Sequence, residues 1–168
     1  MTGPASAPTA GDRRRTLSPD ATERLGEQLA GALAVGDLVV LTGALGAGKT
    51  CFVAGLARGL DAKARVRSPS FILIHEYRGR ELLLHLDLYR LETVDTEALG
   101  IEELLERGVV VVEWGEKLPA ALRADALVLE FELVSASERS IAAHAAGDRG
   151  RALLRAWRSL DPALGEQS

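Results

Sequence analysis

The stretch that decides the fold is Gly43-Ala44-Leu45-Gly46-Ala47-Gly48-Lys49-Thr50, a full match to G-x-x-x-x-G-K-[ST]. Glycines at these places let the backbone turn its N–H groups inward around an anion, through φ angles that other residues avoid. Lys49 is placed to reach the β and γ phosphates of a nucleoside triphosphate, and Thr50 to offer a hydroxyl to Mg²⁺. A helix opening at about Gly48 adds the positive end of its dipole. At this chain's residue frequencies a chance match has a probability of roughly 0.003. The context agrees. Leu38-Val39-Val40-Leu41-Thr42 is a short apolar run of the kind buried on both faces of a sheet. Phe52, Val53, Leu56 and Leu60 then give the next segment an apolar helical face. The order is strand, glycine-rich loop, helix.

Working outward, Ser18-Pro19-Asp20 is a helix start, with an N-cap serine, proline at the first helical position and an acid in the first turn. Leu25, Leu29, Ala32 and Leu33 follow at helical spacing, and Gly36-Asp37 closes that helix. Residues 71–76 and 81–88 read as strands of a hairpin. Residues 93–107 are acidic with some apolar face, which predicts a helix broken near Gly100. Val109-Val110-Val111-Val112 is the clearest buried strand. Residues 127–133 and 140–144 predict a second hairpin turning at Ser135-Ala136-Ser137. Leu153, Leu154, Trp157 and Leu160 share one face of a closing helix. Strands alternating with helices predict an α/β fold: a three-layer P-loop NTPase-like domain with a mixed, mainly parallel central sheet and antiparallel hairpins. The domain is set at residues 17–160, between a disordered N-terminal tail, 1–16, and a C-terminal tail, 161–168.

The chain has 168 residues, 47% hydrophobic and 26% charged, which suits one soluble globular domain. No apolar run approaches the roughly 20 residues of a membrane span, and the first sixteen residues lack the apolar core of a signal peptide. A single cysteine, Cys51, points to a reducing cytoplasm. The net charge of −4 gives no reason to expect autonomous nucleic-acid binding. Only Lys49, Lys63 and Lys117 are lysines, against seventeen arginines, so a lysine at a special position is informative.

A P-loop fold adds an acid at the end of a neighbouring strand. Glu113 follows the better buried strand and is assigned to the Mg²⁺ shell, through water. Asp87, ending the run at 82–86, either orients the attacking water or joins the metal's outer shell. The rival reading makes each a strand-end acid capping a turn. A guanine site would carry Asn-Lys-x-Asp; the chain has no asparagine, so adenine and hence ATP is favoured. Trp114 either packs near the nucleotide or a partner, or is a core tryptophan. His85 packs or hydrogen-bonds nearby, and Cys51 is a packed small side chain.

The P-loop, Ser68-Pro69-Ser70-Phe71, His85-Leu86-Asp87-Leu88-Tyr89-Arg90-Leu91 and Glu113-Trp114 come in that order over residues 22–139. In this the chain resembles the bacterial TsaE family, the ATPase subunit of the tRNA threonylcarbamoyladenosine machinery. The resemblance implies a small P-loop domain that hydrolyses ATP while docked on two partners, TsaB and TsaD, and resets them between turnovers. The partners transfer the threonylcarbamoyl group to tRNA, which this subunit meets only through the complex. The resemblance further implies that Ser70 senses the metal or γ-phosphate in a switch loop. Asp87 and Glu113 match family active-site acids, and Trp114 a tryptophan beside the nucleotide. Thr22 and Arg139 fall where the family places further nucleotide contacts. The expected nucleotide-binding set is therefore Thr22, Gly43, Leu45, Gly46, Ala47, Gly48, Lys49, Thr50, Cys51, Ser70, Trp114 and Arg139. Lys49, Asp87 and Glu113 are the expected catalytic residues, and Thr50 and Glu113 the expected metal ligands. Ala44 and Cys51 depart from the family pattern, which has an aspartate and a hydroxyl residue there.

Two other classes compete. A small-molecule P-loop kinase would need an acceptor pocket and an arginine-bearing lid; Arg78, Arg80 and Arg90 are available, but Arg78 and Arg80 sit on a tight hairpin with no room for a lid. An ATP-gated interaction module would bind nucleotide with hydrolysis incidental. The arginines Arg149, Arg151, Arg155 and Arg158 either touch tRNA phosphates in a complex or form a solvated helix face.

Overall fold

The computed structural model describes residues 12–66, 74–92 and 99–161. Ser70 and its switch-loop neighbours, like the acids at 95 and 97, lie outside the described residues.

Ser18 caps helix α1 (Pro19–Ala30) by accepting from the Ala21 N–H, with Pro19 at the first helical position, as the sequence predicts. The helix stops sooner than expected. Past Ala30 the chain tightens into i→i+3 bonds, Ala32 N–H to Leu29 and Leu33 N–H to Ala30, and Leu33 reaches the core from that turn. Strand β2 (Leu38–Gly43) leads through the glycine loop into α2 (Lys49–Gly59). Then come β3 (Ile74–Arg78), β4 (Leu82–Asp87), α3 (Ile101–Arg107) and β5 (Val109–Glu113). A 3₁₀ turn (Gly115–Lys117), α4 (Ala120–Arg123), β6 (Leu127–Leu133), β7 (Arg139–Ala145) and α5 (Asp148–Arg158) complete it.

The sheet corrects the N-terminal boundary. Arg13–Thr16, read with the disordered tail, form β1, an edge strand antiparallel to β7. The cause is tertiary, from partners distant in sequence: the Trp157 indole N–H donates to the Asp12 carbonyl, Arg14 donates to the carbonyls of Trp157 and Arg158, and Arg158 pairs with Asp12. Part of the arginine run thus caps the end of α5 and covers an open sheet edge. Arg158 and Arg149, which pairs with Asp37, are committed to internal contacts, and Arg151 pairs with Asp148.

Among the described residues the strand order is β1-β7-β6-β2-β5-β4-β3. The four central strands β6, β2, β5 and β4 run parallel, and antiparallel pairs flank them. The continuous apolar runs divide by parity, as a strand of period two requires. Val39, Leu41, Val109 and Val111 face one core with α1, α2 and Trp157. Leu38, Val40, Val110 and Val112 face the other with Leu84, Leu86, Ile101 and Leu104. Burying each such side chain contributes about 1.5–3 kcal/mol. Helices α1 and α2 approach so closely that a Cβ on Gly26 would stand 2.3 Å from the Phe52 carbonyl oxygen, and one on Gly55 1.8 Å from that of Glu23. That contact fixes α2, and hence the loop at its start, on the sheet.

Candidate active site

Parallel strands β2, β4 and β5 end on one side of the sheet, and their C-terminal loops surround a cleft of about 700 Å³. Ligands of parallel sheets gather at this edge. Eleven of the residues singled out from sequence line it: Thr22, Leu45, Gly46, Gly48, Lys49, Thr50, Cys51, Asp87, Glu113, Trp114 and Arg139. Gly43 and Ala47 do not line it. Gly43 lies under the loop, where a Cβ would stand 2.3 Å from the Phe131 carbonyl oxygen, and Ala47 is buried.

Gly46 and Gly48 hold φ of +78° and +100°, conformations that leave their N–H groups free of the usual helical path. Among the described residues, apart from Gly46 and its two chain neighbours, no atom lies within 4 Å of where a Cβ on Gly46 would stand. Lys49, at the first position of α2, is 4% exposed. Its ammonium donates to the Gly43 carbonyl at 2.5 Å and stands 3.6 Å from the centre of the Trp114 ring. Burial lowers the affinity of Lys49 for its proton below the ordinary lysine value, against the opposing pull of Glu113, Glu116 and Asp87.

The Thr50 hydroxyl donates to Glu113, at 2.9 Å to Oε1 and 3.2 Å to Oε2. Behind Glu113, His85 Nε2 lies 2.5 Å from Oε2, with both side chains buried. Because a carboxylate oxygen accepts, the ring nitrogen takes the donor role, and this contact orients the carboxylate. Asp87 is the register partner of Glu113 across β4 and β5, and its Oδ1 accepts from the Tyr89 N–H at 2.9 Å. A hydroxyl and a carboxylate are hard oxygen donors that fit Mg²⁺ better than a softer metal. Among the described residues no group of three His, Cys, Asp or Glu side chains could cage a cation. A Mg²⁺ ion here could be met by the Thr50 hydroxyl directly and by Glu113 through water, and would need further ligands from beyond these two side chains.

Arg139 braces the loop. Its guanidinium donates to the carbonyls of Ser135, Glu138 and Gly46, tying the β6–β7 turn to the glycine loop. Thr22 is buried, its hydroxyl paired with that of Thr16 at 2.7 Å. The Cys51 thiol packs on α1, donating to the Pro19 carbonyl, and burial raises its pKa, so it is a packing group.

Sequence reasoning missed two residues here. Tyr89 is 48% exposed and lines the cleft with its ring centre 4.9 Å from that of Trp114. Lys117 donates to the carbonyls of Leu88, Tyr89 and Leu91. The scarcity of lysine was the one signal for it. Arg78 and Arg80, weighed for a kinase lid, line a separate hollow with Asp61 and Lys63, and Arg80 donates to the Ala30 carbonyl.

The family model described as "Threonylcarbamoyl adenosine biosynthesis protein TsaE" matches residues 16–141. The chain is similar to the tRNA threonylcarbamoyladenosine biosynthesis protein TsaE of Synechocystis, 45% identical over 60% of this chain and 68% of that protein. It is similar to the TsaE of Treponema pallidum at 40% identity, covering 71% and 90%, and to that of Bacillus subtilis at 37%, covering 80% and 86%. The crystal structure of Bacillus subtilis YdiB superposes with a TM-score of 0.71 at 33% identity, over 86% of this chain and 92% of that one. The chain belongs to the TsaE family of threonylcarbamoyl adenosine biosynthesis proteins.

Proposed function

We propose that this protein binds and hydrolyses Mg-ATP as an accessory subunit of the cytoplasmic tRNA threonylcarbamoyladenosine machinery, resetting a TsaB–TsaD transferase between turnovers. The observation that carries the proposal is the convergence of a phosphate-binding loop with an oxygen donor pair: Thr50 and Glu113, 2.9 Å apart, beside Lys49 in one cleft. Bound Mg²⁺ would neutralise charge on the transferring phosphoryl group. Each protein group then has a task. The loop amides and the α2 N-terminus cradle the phosphates. Lys49 would leave the Gly43 carbonyl to engage phosphate oxygens, and Thr50 and Glu113 would hold the metal, the hydroxyl directly and the carboxylate through water. Asp87, on the next strand end, orients the attacking water. Tyr89 and Trp114 give an aromatic wall on which an adenine stacks without base-specific contacts.

The test is Mg-ATP hydrolysis by the purified protein, alone and with TsaB and TsaD of the same organism. The expected result is slow hydrolysis alone and stimulation by the pair, both abolished in Lys49→Ala. Full activity in Lys49→Ala would overturn the site. A rate indifferent to the partners, with ATP still bound, would favour a nucleotide-gated interaction module.

A further inference from the structure

Lys117 occupies the last position of the 3₁₀ turn that begins directly after Trp114. Trp114 itself takes the left-handed conformation, φ +59°, which sends the chain sharply back toward β4. The Lys117 ammonium there meets three carbonyl oxygens of one loop: Leu88 at 3.0 Å, Tyr89 at 2.7 Å and Leu91 at 2.8 Å. An ammonium has three donors, and all three are used. The loop it grips carries part of the cleft lining, Tyr89 and Leu91, and is bonded to Asp87. The Tyr89 N–H holds Asp87 Oδ1, the Tyr89 ring leans on Trp114, and Trp114 underlies the Lys49 ammonium. A compact point charge suits three convergent carbonyls, whereas the planar fork of arginine suits a carboxylate. In a chain with seventeen arginines and three lysines, a lysine stands where the geometry asks for one.

We propose that Lys117 is a positioning residue: by latching the carbonyls of Leu88, Tyr89 and Leu91 to the Trp114 turn, it holds Asp87 and the Tyr89–Trp114 wall in the arrangement that turnover needs. The consequence for turnover rests on the ATPase reading above, while the latch itself is read without nucleotide. Lys117 touches none of the phosphate loop, so its loss acts on alignment. A displacement of about 1 Å in a positioned group is enough to cost about a hundredfold in rate.

Lys117→Ala deletes three methylenes and the ammonium, the shape of propylammonium, which serves as the probe. The first readout is acrylamide quenching of tryptophan emission in nucleotide-free protein. Trp157 is fully buried, so a change reports Trp114. The variant should quench more readily, and propylammonium should return it toward wild type, whereas Lys117→Arg should stay loosened. The second readout is partner-stimulated ATP hydrolysis. In Lys117→Ala, kcat should fall at least about tenfold while the ATP Kd changes less than about threefold, with propylammonium restoring kcat. Should Lys117→Ala fail to fold, Lys117→Met keeps the apolar stem and should show the same split. Unchanged quenching, a loss that propylammonium does not repair, or equal losses in kcat and affinity would each overturn the latch. A wild-type protein with no ATPase activity would overturn the ATPase reading alone, because the quenching arm needs no nucleotide.

Discussion

Glu113 is the residue on which stability and the candidate chemistry meet, so its replacement separates the two. The residue is 3% exposed, and its carboxylate accepts from the Thr50 hydroxyl and from His85 Nε2. Glu113→Ala removes the acceptor from both. Thr50 is part-exposed and can turn its hydroxyl to water in the cleft, at little cost. His85 cannot. It is fully buried, and among the described residues its Nδ1 has no partner, so flipping the ring offers no relief. An orphaned buried donor costs about 1–3 kcal/mol, and the space left by the side chain adds about 1 kcal/mol. The sum is about 2–4 kcal/mol, which at this chain length lowers Tm by about 5–15 °C. Glu113→Gln keeps one acceptor oxygen and should cost about half as much. Both variants should weaken the Mg²⁺ dependence of hydrolysis. The stability arm is measured by urea denaturation of Glu113→Ala, His85→Ala and the double variant. Because the two residues share one contact, the double variant should be more stable than the sum of the single losses predicts, by about 1–3 kcal/mol. Strict additivity, or a Glu113→Ala protein within about 0.5 kcal/mol of wild type, would refute the reasoning that this buried contact holds the carboxylate.

Asp87→Asn should lower partner-stimulated turnover by about a hundredfold with little change in ATP affinity, seen as a kcat effect in steady-state assays. Gly43→Ala and Gly46→Ala should differ in a thermal melt. The first meets the Phe131 carbonyl at 2.3 Å with φ +131° and should cost more than about 3 kcal/mol. The second enters open space with φ +78° and should cost about 1–2 kcal/mol. Burial raises the Asp37 carboxyl above its ordinary value of 3.8, against the Ala34 N–H and Arg149, which lower it. The folded state therefore holds that proton longer than the unfolded chain, and stability falls as pH rises from 3.8 through the raised value. Chemical denaturation across that window should show this slope in wild type and its loss in Asp37→Asn.

What was legible in the sequence was whatever local chemistry dictates. The glycine loop needs its residues at fixed spacing, and β2 and β5 need continuous apolar runs because both faces of the sheet are covered. Ser18-Pro19-Asp20 announces a helix by capping alone. What was not legible depends on distant partners. Arg13–Thr16 become a strand only because β7 presents an open edge and α5 ends where Arg14 can cap it. Helix α1 ends early although Leu33 is buried, because a side chain can enter a core from a turn as well as from a helix. Gly26 and Gly55 carry no periodic signal, yet they set the α1–α2 approach. Lys117 sits in a charged turn whose sequence says nothing of the three carbonyls that fold brings to it.

Charge makes the same point at the cleft. The chain carries a net −4, which by itself argues against an anionic ligand. The cleft lining carries Lys49, Arg90 and Arg139 against Asp87 and Glu113, one positive charge in excess. Charges separated by more than about 8 Å are largely screened at physiological salt, so the local excess outweighs the global deficit. The cations are also constrained. Lys49 rests on the Gly43 carbonyl and Arg139 on Gly46, both within the loop meant to face the phosphates. A phosphate entering that loop exchanges carbonyl partners for charged oxygens, each swap gaining more than it loses because charge-assisted bonds are the stronger kind. The apolar part of the lining, Pro19, Leu45, Tyr89, Leu91 and Trp114, is left to meet an uncharged group. One cleft thus presents cationic and apolar surfaces that would suit a ligand both anionic and aromatic, the composition of the proposed nucleotide. The lining therefore fits the proposed ATP reading, and it adds to Lys49 and Leu45 of the motif residues at and beyond the ends of β4 and β5 and at the start of β7.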